Sequence, residues 1–213
     1  MRIFTKLFGS SRAKKVFEAR DKFRRKSSAL RQIGKAVTIA ADDCYRKTLP
    51  FISFTEEKSK QYASIRIYYE YLYFFRHLAF KNAFSRLSVM QVKILHEYMA
   101  GIVIPNAVDV FLKQWPEELQ SGMRSEFFKK LNDVEADYGN ARELFAKKDP
   151  CSSDALTSKI GRNIAETAGI PNHSTTIRTV IIVMTDAYKA MKLEKLIDKA
   201  KEDIYADEEM SIR

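Results

Sequence analysis

The sequence predicts an all-α protein, a single bundle of about six to eight helices over residues 37–213 with a basic amphipathic N-terminal arm over residues 1–36. Three observations carry this reading. Only 7 Gly and 5 Pro occur in 213 residues, so turn chemistry is sparse and long elements must be joined by few connections. Apolar residues recur at three- and four-residue steps along most of the chain, the period of one helix face. The net charge of +10 lies wholly in the first 36 residues, where 12 Lys or Arg face only Glu18 and Asp21, while the other 25 basic and 25 acidic residues cancel. The body is therefore an electrically balanced globule, and 46% apolar with 12% aromatic residues is ample for its core.

In the arm, Ile3 pairs with Leu7 and Phe4 with Phe8 at i,i+4, which places four large apolar side chains on one side of two helical turns. Gly9, Ser10 and Ser11 interrupt that pattern, and either serine can cap a second helix. In it Val16, Phe23, Leu30 and Val37 recur every seven residues with Ile33 beside them, a narrow apolar stripe on a basic helix. Ala36 to Lys47 continues as a helical stretch that Pro50 stops.

Thr55 followed by Glu56 and Glu57 starts the most apolar helix. One of its stripes holds Tyr62, Ile65, Tyr69, Leu72 and Phe80, and a second holds Tyr68, Tyr71, Phe75 and Leu78. Two apolar faces imply a central helix packed on both sides. Ser88 with Gln91 forms a capping box before the apolar positions Val89, Val92, Leu95, Met99 and Val103, and Pro105 is expected to end that helix, with Asn106 capping a short one reaching Trp115.

Pro116, Glu117 and Glu118 open the next helix, whose core positions Met123, Phe127, Leu131, Val134, Tyr138, Ala141 and Phe145 imply about thirty residues, broken at Asp149 and Pro150. A shorter helix with Leu156, Ile160 and Ile164 ends at Gly169-Ile170-Pro171. Asn172 or Ser174 then opens the last long helix, with Ile177, Val180, Met184, Ala187, Met191 and Ile204 inward. The β-branched run Thr175 to Val183 competes for strand on propensity but lacks a pairing partner.

Cys44 and Cys151 stand 107 positions apart with no Cys-x-x-Cys spacing, so they read as free thiols. Met1 to Ser11 alternates apolar with polar residues and does not resemble a secretory signal. The richest apolar run, Ile65 to Phe80, is interrupted by Arg66, Glu70, Arg76 and His77 and is no membrane span. The first 17 residues contain five cations and no acid, a composition shared with mitochondrial presequences, so that destination stays open beside a cytoplasmic, membrane-peripheral one.

Few residues carry a chemical signature. Arg66, Glu70, His77 and Lys81 share one polar stripe on the aromatic helix, which makes Glu70 and His77 candidates for an acid–base pocket, with burial raising the carboxyl's pKa. The alternative is a wet helix edge stitched by an Arg66 to Glu70 pair. His96 and Glu97 are the next candidates. Residues seven apart are separated by roughly 10 Å along a helix, too far for Glu70 and His77 to share a metal unaided. No Glu-x-x-His, Gly-x-Ser-x-Gly or Walker-type spacing occurs, so neither metal nor cofactor is expected. An enzyme with a scattered site remains the alternative to a binding protein.

The arm carries the functional expectation. Arg2, Lys6, Arg12, Lys14, Lys15, Arg20, Lys22, Arg24, Arg25 and Lys26 would meet an anionic surface while Ile3, Phe4, Leu7 and Phe8 insert into a membrane interface or a partner. The same cations could neutralise nucleic-acid phosphates, which explains the charge but not the apolar tip. They could also be solvated, or contact the acidic end at Glu202, Asp203, Asp207, Glu208 and Glu209. The expectation is a non-enzymatic helical binding or scaffold protein with a protein partner. An anionic membrane surface ranks next and nucleic acid third.

Overall fold

The computed structural model describes residues 28–54, 57–141, 143–146, 149, 151 and 153–201. The arm residues from Arg2 to Lys26, the acids from Glu202 onward and Ile204 lie outside these. Among the described residues the chain is helical, with no strand. The elements are α1 Ser28–Thr48, a short 3-10 turn Leu49–Phe51, α2 Glu57–Phe84, α3 Val89–Tyr98, a π-helical segment Met99–Val103, α4 Ile104–Leu112, α5 Glu117–Gly139, α6 Leu156–Thr167 and α7 Ser174–Met191. Residues 193–201 form a last helix, α8.

The boundary expected between residues 36 and 37 falls inside α1. The charge of the segment and its burial change at different places: Ala29, Leu30, Ile33 and Val37 are all buried, so residues 28–36 belong to the body. The basic segment therefore feeds directly into a core helix.

The aromatic helix is central, as its two stripes imply. From Ile65 to Phe75 nearly every side chain is buried, with Ile65, Ile67, Tyr71, Leu72, Phe74 and Phe75 at 0% exposure. α2 packs against α1, α3, α5 and α6, while α7 closes the bundle against α1 and α6. Aromatic rings fill the contacts: Tyr68 stacks on Phe111 at 3.7 Å and Tyr73 on Phe127 at 4.6 Å. Of the buried hydroxyls, Tyr71 donates to Thr48 Oγ1 and Tyr73 to the Phe127 carbonyl, while Tyr69 O–H and Ser158 Oγ have no hydrogen-bond partner.

Ring contacts also fix the directions. Phe80 lies beside His96, and Tyr68 beside Phe111, so α3 and α4 run antiparallel to α2. A Cβ on Gly34 would stand 2.7 Å from Val103 and 3.4 Å from Tyr98, and Tyr45 meets Phe111, so α1 runs in the same direction as α3 and α4. The start of α1, the end of α2 and the start of α3 thus share one end of the bundle.

The capping box is present, with Ser88 N–H donating to Gln91 Oε1 and Gln91 N–H to Ser88 Oγ. Several helix boundaries differ from expectation. Pro105 does not end its helix: the Ile104 N–H reaches back to the Met99 carbonyl, and the widened π turn accommodates a residue that has no N–H to give. Asn106 consequently sits inside α4 rather than capping it. α5 stops at Gly139, before Ala141 and Phe145, and the following loop is tied to α6 by Leu156 and Thr157 N–H groups donating to the Glu143 and Leu144 carbonyls.

The last helix is capped by His173, whose ring accepts from Thr176 N–H, because Asn172 adopts a left-handed φ of 63° to turn the chain. That helix breaks at Lys192, φ 48°, before α8. Gly169, φ 78°, closes α6 as expected, with Ile170 N–H bonding the Ala165 carbonyl and Gly169 N–H that of Glu166. Cys44 is buried and Cys151 half-buried, both free.

Candidate functional site

The polar stripe of α2 becomes a seam against α5. Arg66 reaches across to Glu126, Nε and Nη2 lying 2.8 and 3.0 Å from the two carboxylate oxygens, instead of pairing along the helix with Glu70. One turn on, Tyr138 O–H donates to Glu70 Oε2 at 2.8 Å and Asn163 of α6 donates at 3.3 Å. Burial pushes the Glu70 carboxyl above its ordinary range, and the two donors oppose that rise.

Further along, Glu135 is gripped by two α2 side chains. Arg76 Nη1 lies 2.5 Å from Oε2, and His77 Nδ1 lies 2.7 Å from Oε1. Burial disfavours the Glu135 charge, but the His77 hydrogen bond and the Arg76 and His77 charges outweigh it and hold the carboxyl below its usual value. An ionised carboxylate can only accept, so Nδ1 carries the His77 proton. Arg76 is 5% exposed, its guanidinium over the Phe80 ring at 4.7 Å, and burial lowers its pKa. Arg76 Nε and His77 Nε2 are buried without a hydrogen-bond partner.

Glu70 and His77 are therefore not one site. Each belongs to its own cluster, and residues seven apart on a helix stay separated. His96 is exposed on α3, its ring 5.3 Å from Phe80, and its charge adds to those lowering Glu135. Glu97 is half-buried at the next position. Among the described residues no three His, Cys, Asp or Glu side chains gather as a metal site. Glu135 and Arg76 were not singled out by sequence reasoning. The available signal was that Glu135 follows Phe127 and Leu131 at four-residue steps, which points a carboxylate at the core.

Two concave surfaces among the described residues bear on function. An open groove of about 780 Å³ runs along the surface where α1 meets the π segment and α4, lined by Gly34, Tyr98 and Val103 and edged by Ile39, Ile102 and Val110. Those three edge residues are 55%, 41% and 68% exposed. A polar cleft of about 570 Å³ lies beside the Glu70 cluster, between Asp137, Lys159, Arg162, Asn163 and Glu166. Its cations are already engaged, Lys159 by Asp137 and Arg162 by the carbonyls of Cys151 and Ser153.

No protein-family model, curated protein or solved structure matches the chain. Among the described residues no helix is long and apolar enough to cross a membrane.

The charged side chains of the seam do the work of joining helices. Arg76, Glu135 and His77 hold α2 to α5, and Glu70, Tyr138 and Asn163 hold α2 to α5 and α6. By contrast, the groove edges leave apolar area in water, where a partner would gain most by covering it. A second group of exposed apolar side chains among the described residues lies at the tip where α2 passes to α3: Phe84, Val89 and Met90 are 71%, 87% and 56% exposed.

Proposed function

We propose that this protein is a non-enzymatic helical binding protein, held on an anionic surface by its basic N-terminal segment and offering its body to a protein partner. The observation that carries this is the entry of the charge-bearing segment into α1. Residues 1–27 hold ten cations against Glu18 and Asp21, and α1 then buries Ala29, Leu30, Ile33 and Val37 in the core. Whatever that segment grips is joined in sequence to a helix whose first turn is already buried in the core. The groove supports the second half of the reading, since two walls running in one direction with apolar edges suit a single amphipathic helix of a partner.

The test uses the full chain. Reversing Lys14, Lys15, Arg24 and Arg25 to Glu should abolish flotation with anionic vesicles without altering the thermal unfolding of the body. Equal flotation of variant and parent, or none by the parent, would remove the anionic-surface reading. A second reading, a small-ligand or catalytic site near His77, draws on the unpartnered His77 Nε2 and Arg76 Nε. Loss of a bound ligand in His77→Ala and Glu70→Ala with unchanged folding would favour it. Nucleic acid stands third, and gel shifts showing no complex at low salt would dispose of it.

A further inference from the structure

Three side chains on one tip of the bundle are left in water although Ala83, Leu87 and Gln91 beside them are buried. Phe84 ends α2, and Val89 and Met90 begin α3. The intervening turn is tight, with Arg86 and Leu87 N–H groups both donating to the Ala83 carbonyl. Leu87 and Val92, 9% and 6% exposed, point into the core. The capping box at Ser88 and Gln91 holds the first turn of α3 rigid, so Val89 and Met90 project from a fixed scaffold.

The surroundings of this tip are cationic. Lys81 and Lys93 are exposed beside it, and Arg86 bridges to Glu194 and Asp198 of α8, which also presents Lys195 and Lys199. The directions of the helices place the first residue of α1 at this same end, where the chain joins residues 1–27, whose sequence carries ten cations. A protruding apolar tip with a cationic rim matches the two demands of a membrane interface, apolar area for the acyl boundary and positive charge for anionic headgroups.

We propose that Phe84, Val89 and Met90 insert into the interface of an anionic lipid bilayer, so that the folded bundle itself, and not the N-terminal segment alone, contacts lipid. This rests on the anionic-surface reading above and adds a site to it. Electrostatic attraction by the segment brings the protein to the surface and fades with salt, whereas insertion of three apolar side chains persists.

The experiment compares full-length proteins by co-sedimentation with phosphatidylcholine vesicles with and without phosphatidylserine, at low and moderate salt. The Phe84→Ser, Val89→Ser, Met90→Ser variant should bind anionic vesicles at least about tenfold more weakly, a factor that corresponds to partial burial of these side chains, and should lose all binding at moderate salt. A Phe51→Ser, Ile182→Ser control, altered at exposed apolar residues elsewhere, should bind as the parent does. Met90→Trp provides a readout that keeps the tip apolar: its emission should shift to the blue on anionic vesicles. Equal binding by the triple variant, or no emission shift, overturns the insertion while leaving the segment's role intact. If the parent does not bind anionic vesicles at all, both ideas fall.

Discussion

Glu135→Gln removes one charge from the Arg76–Glu135–His77 cluster while keeping nearly the same shape. Arg76, 5% exposed, then holds a buried positive charge with no carboxylate opposite. Breaking a buried pair from one side costs about 3–5 kcal/mol, and Glu135 retains 32% of its exposure, so water can screen part of the loss. The expected cost is about 2–3 kcal/mol, a large share of the 5–15 kcal/mol typical of a domain. Urea unfolding followed by far-ultraviolet circular dichroism should show the midpoint falling by about 1 M with an unchanged slope.

The same pair fixes a pH dependence. The Glu135 carboxyl is depressed in the folded state, so the unfolded chain binds the proton more readily. Its contribution is complete above the unfolded value of about 4.3 and is lost as pH falls through the folded value. The gap between parent and variant should therefore close in acid. Replacing all three members, Arg76→Met with His77→Phe and Glu135→Leu, should recover most of the lost stability because no buried group is left without its partner. A cost below about 0.5 kcal/mol for Glu135→Gln, or a gap that persists unchanged into acid, would refute this account of the seam.

The other predictions concern packing and local structure, each read from urea unfolding. Gly161→Ala should destabilise by about 1–2 kcal/mol despite better helix propensity, because its Cβ would meet Ile177 side chain and backbone at 3.0–3.4 Å. Gly122→Ala has nothing within 4 Å and should stabilise by about 0.5–1 kcal/mol. Ser88→Ala removes the acceptor for Gln91 N–H and should cost about 1 kcal/mol.

The parts of the fold legible in the sequence were those fixed by local chemistry. The two stripes of α2, the Ser88–Gln91 box and the Gly169 stop depend on residues within a few positions of one another, and each stands as expected apart from Tyr62, which is exposed at the start of its stripe. What failed depended on partners far along the chain. Pro105 reads as a stop, yet a π turn packed against Gly34 carries the helix through it. The charge boundary at residue 36 hid the fact that Leu30 and Ile33 already belong to the core.

The candidate site was half legible. The stripe Arg66, Glu70 and His77 does line one seam, but its partners Glu126, Tyr138, Asn163 and Glu135 are set by how α5 and α6 lie, which periodicity alone does not give. The exposed tip was invisible because Phe84, Val89 and Met90 fit the apolar pattern of buried helices, and only packing reveals that nothing covers them.

Hydrogen–deuterium exchange of the full chain, with and without anionic vesicles, tests the central claim most directly because it reads every surface at once. The account predicts slowed exchange at residues 84–93 and in the first turn of α1, with no change across the α2–α5 seam. Unchanged exchange at the tip, with protection appearing instead around Glu70, Tyr138 and Asn163, would contradict it.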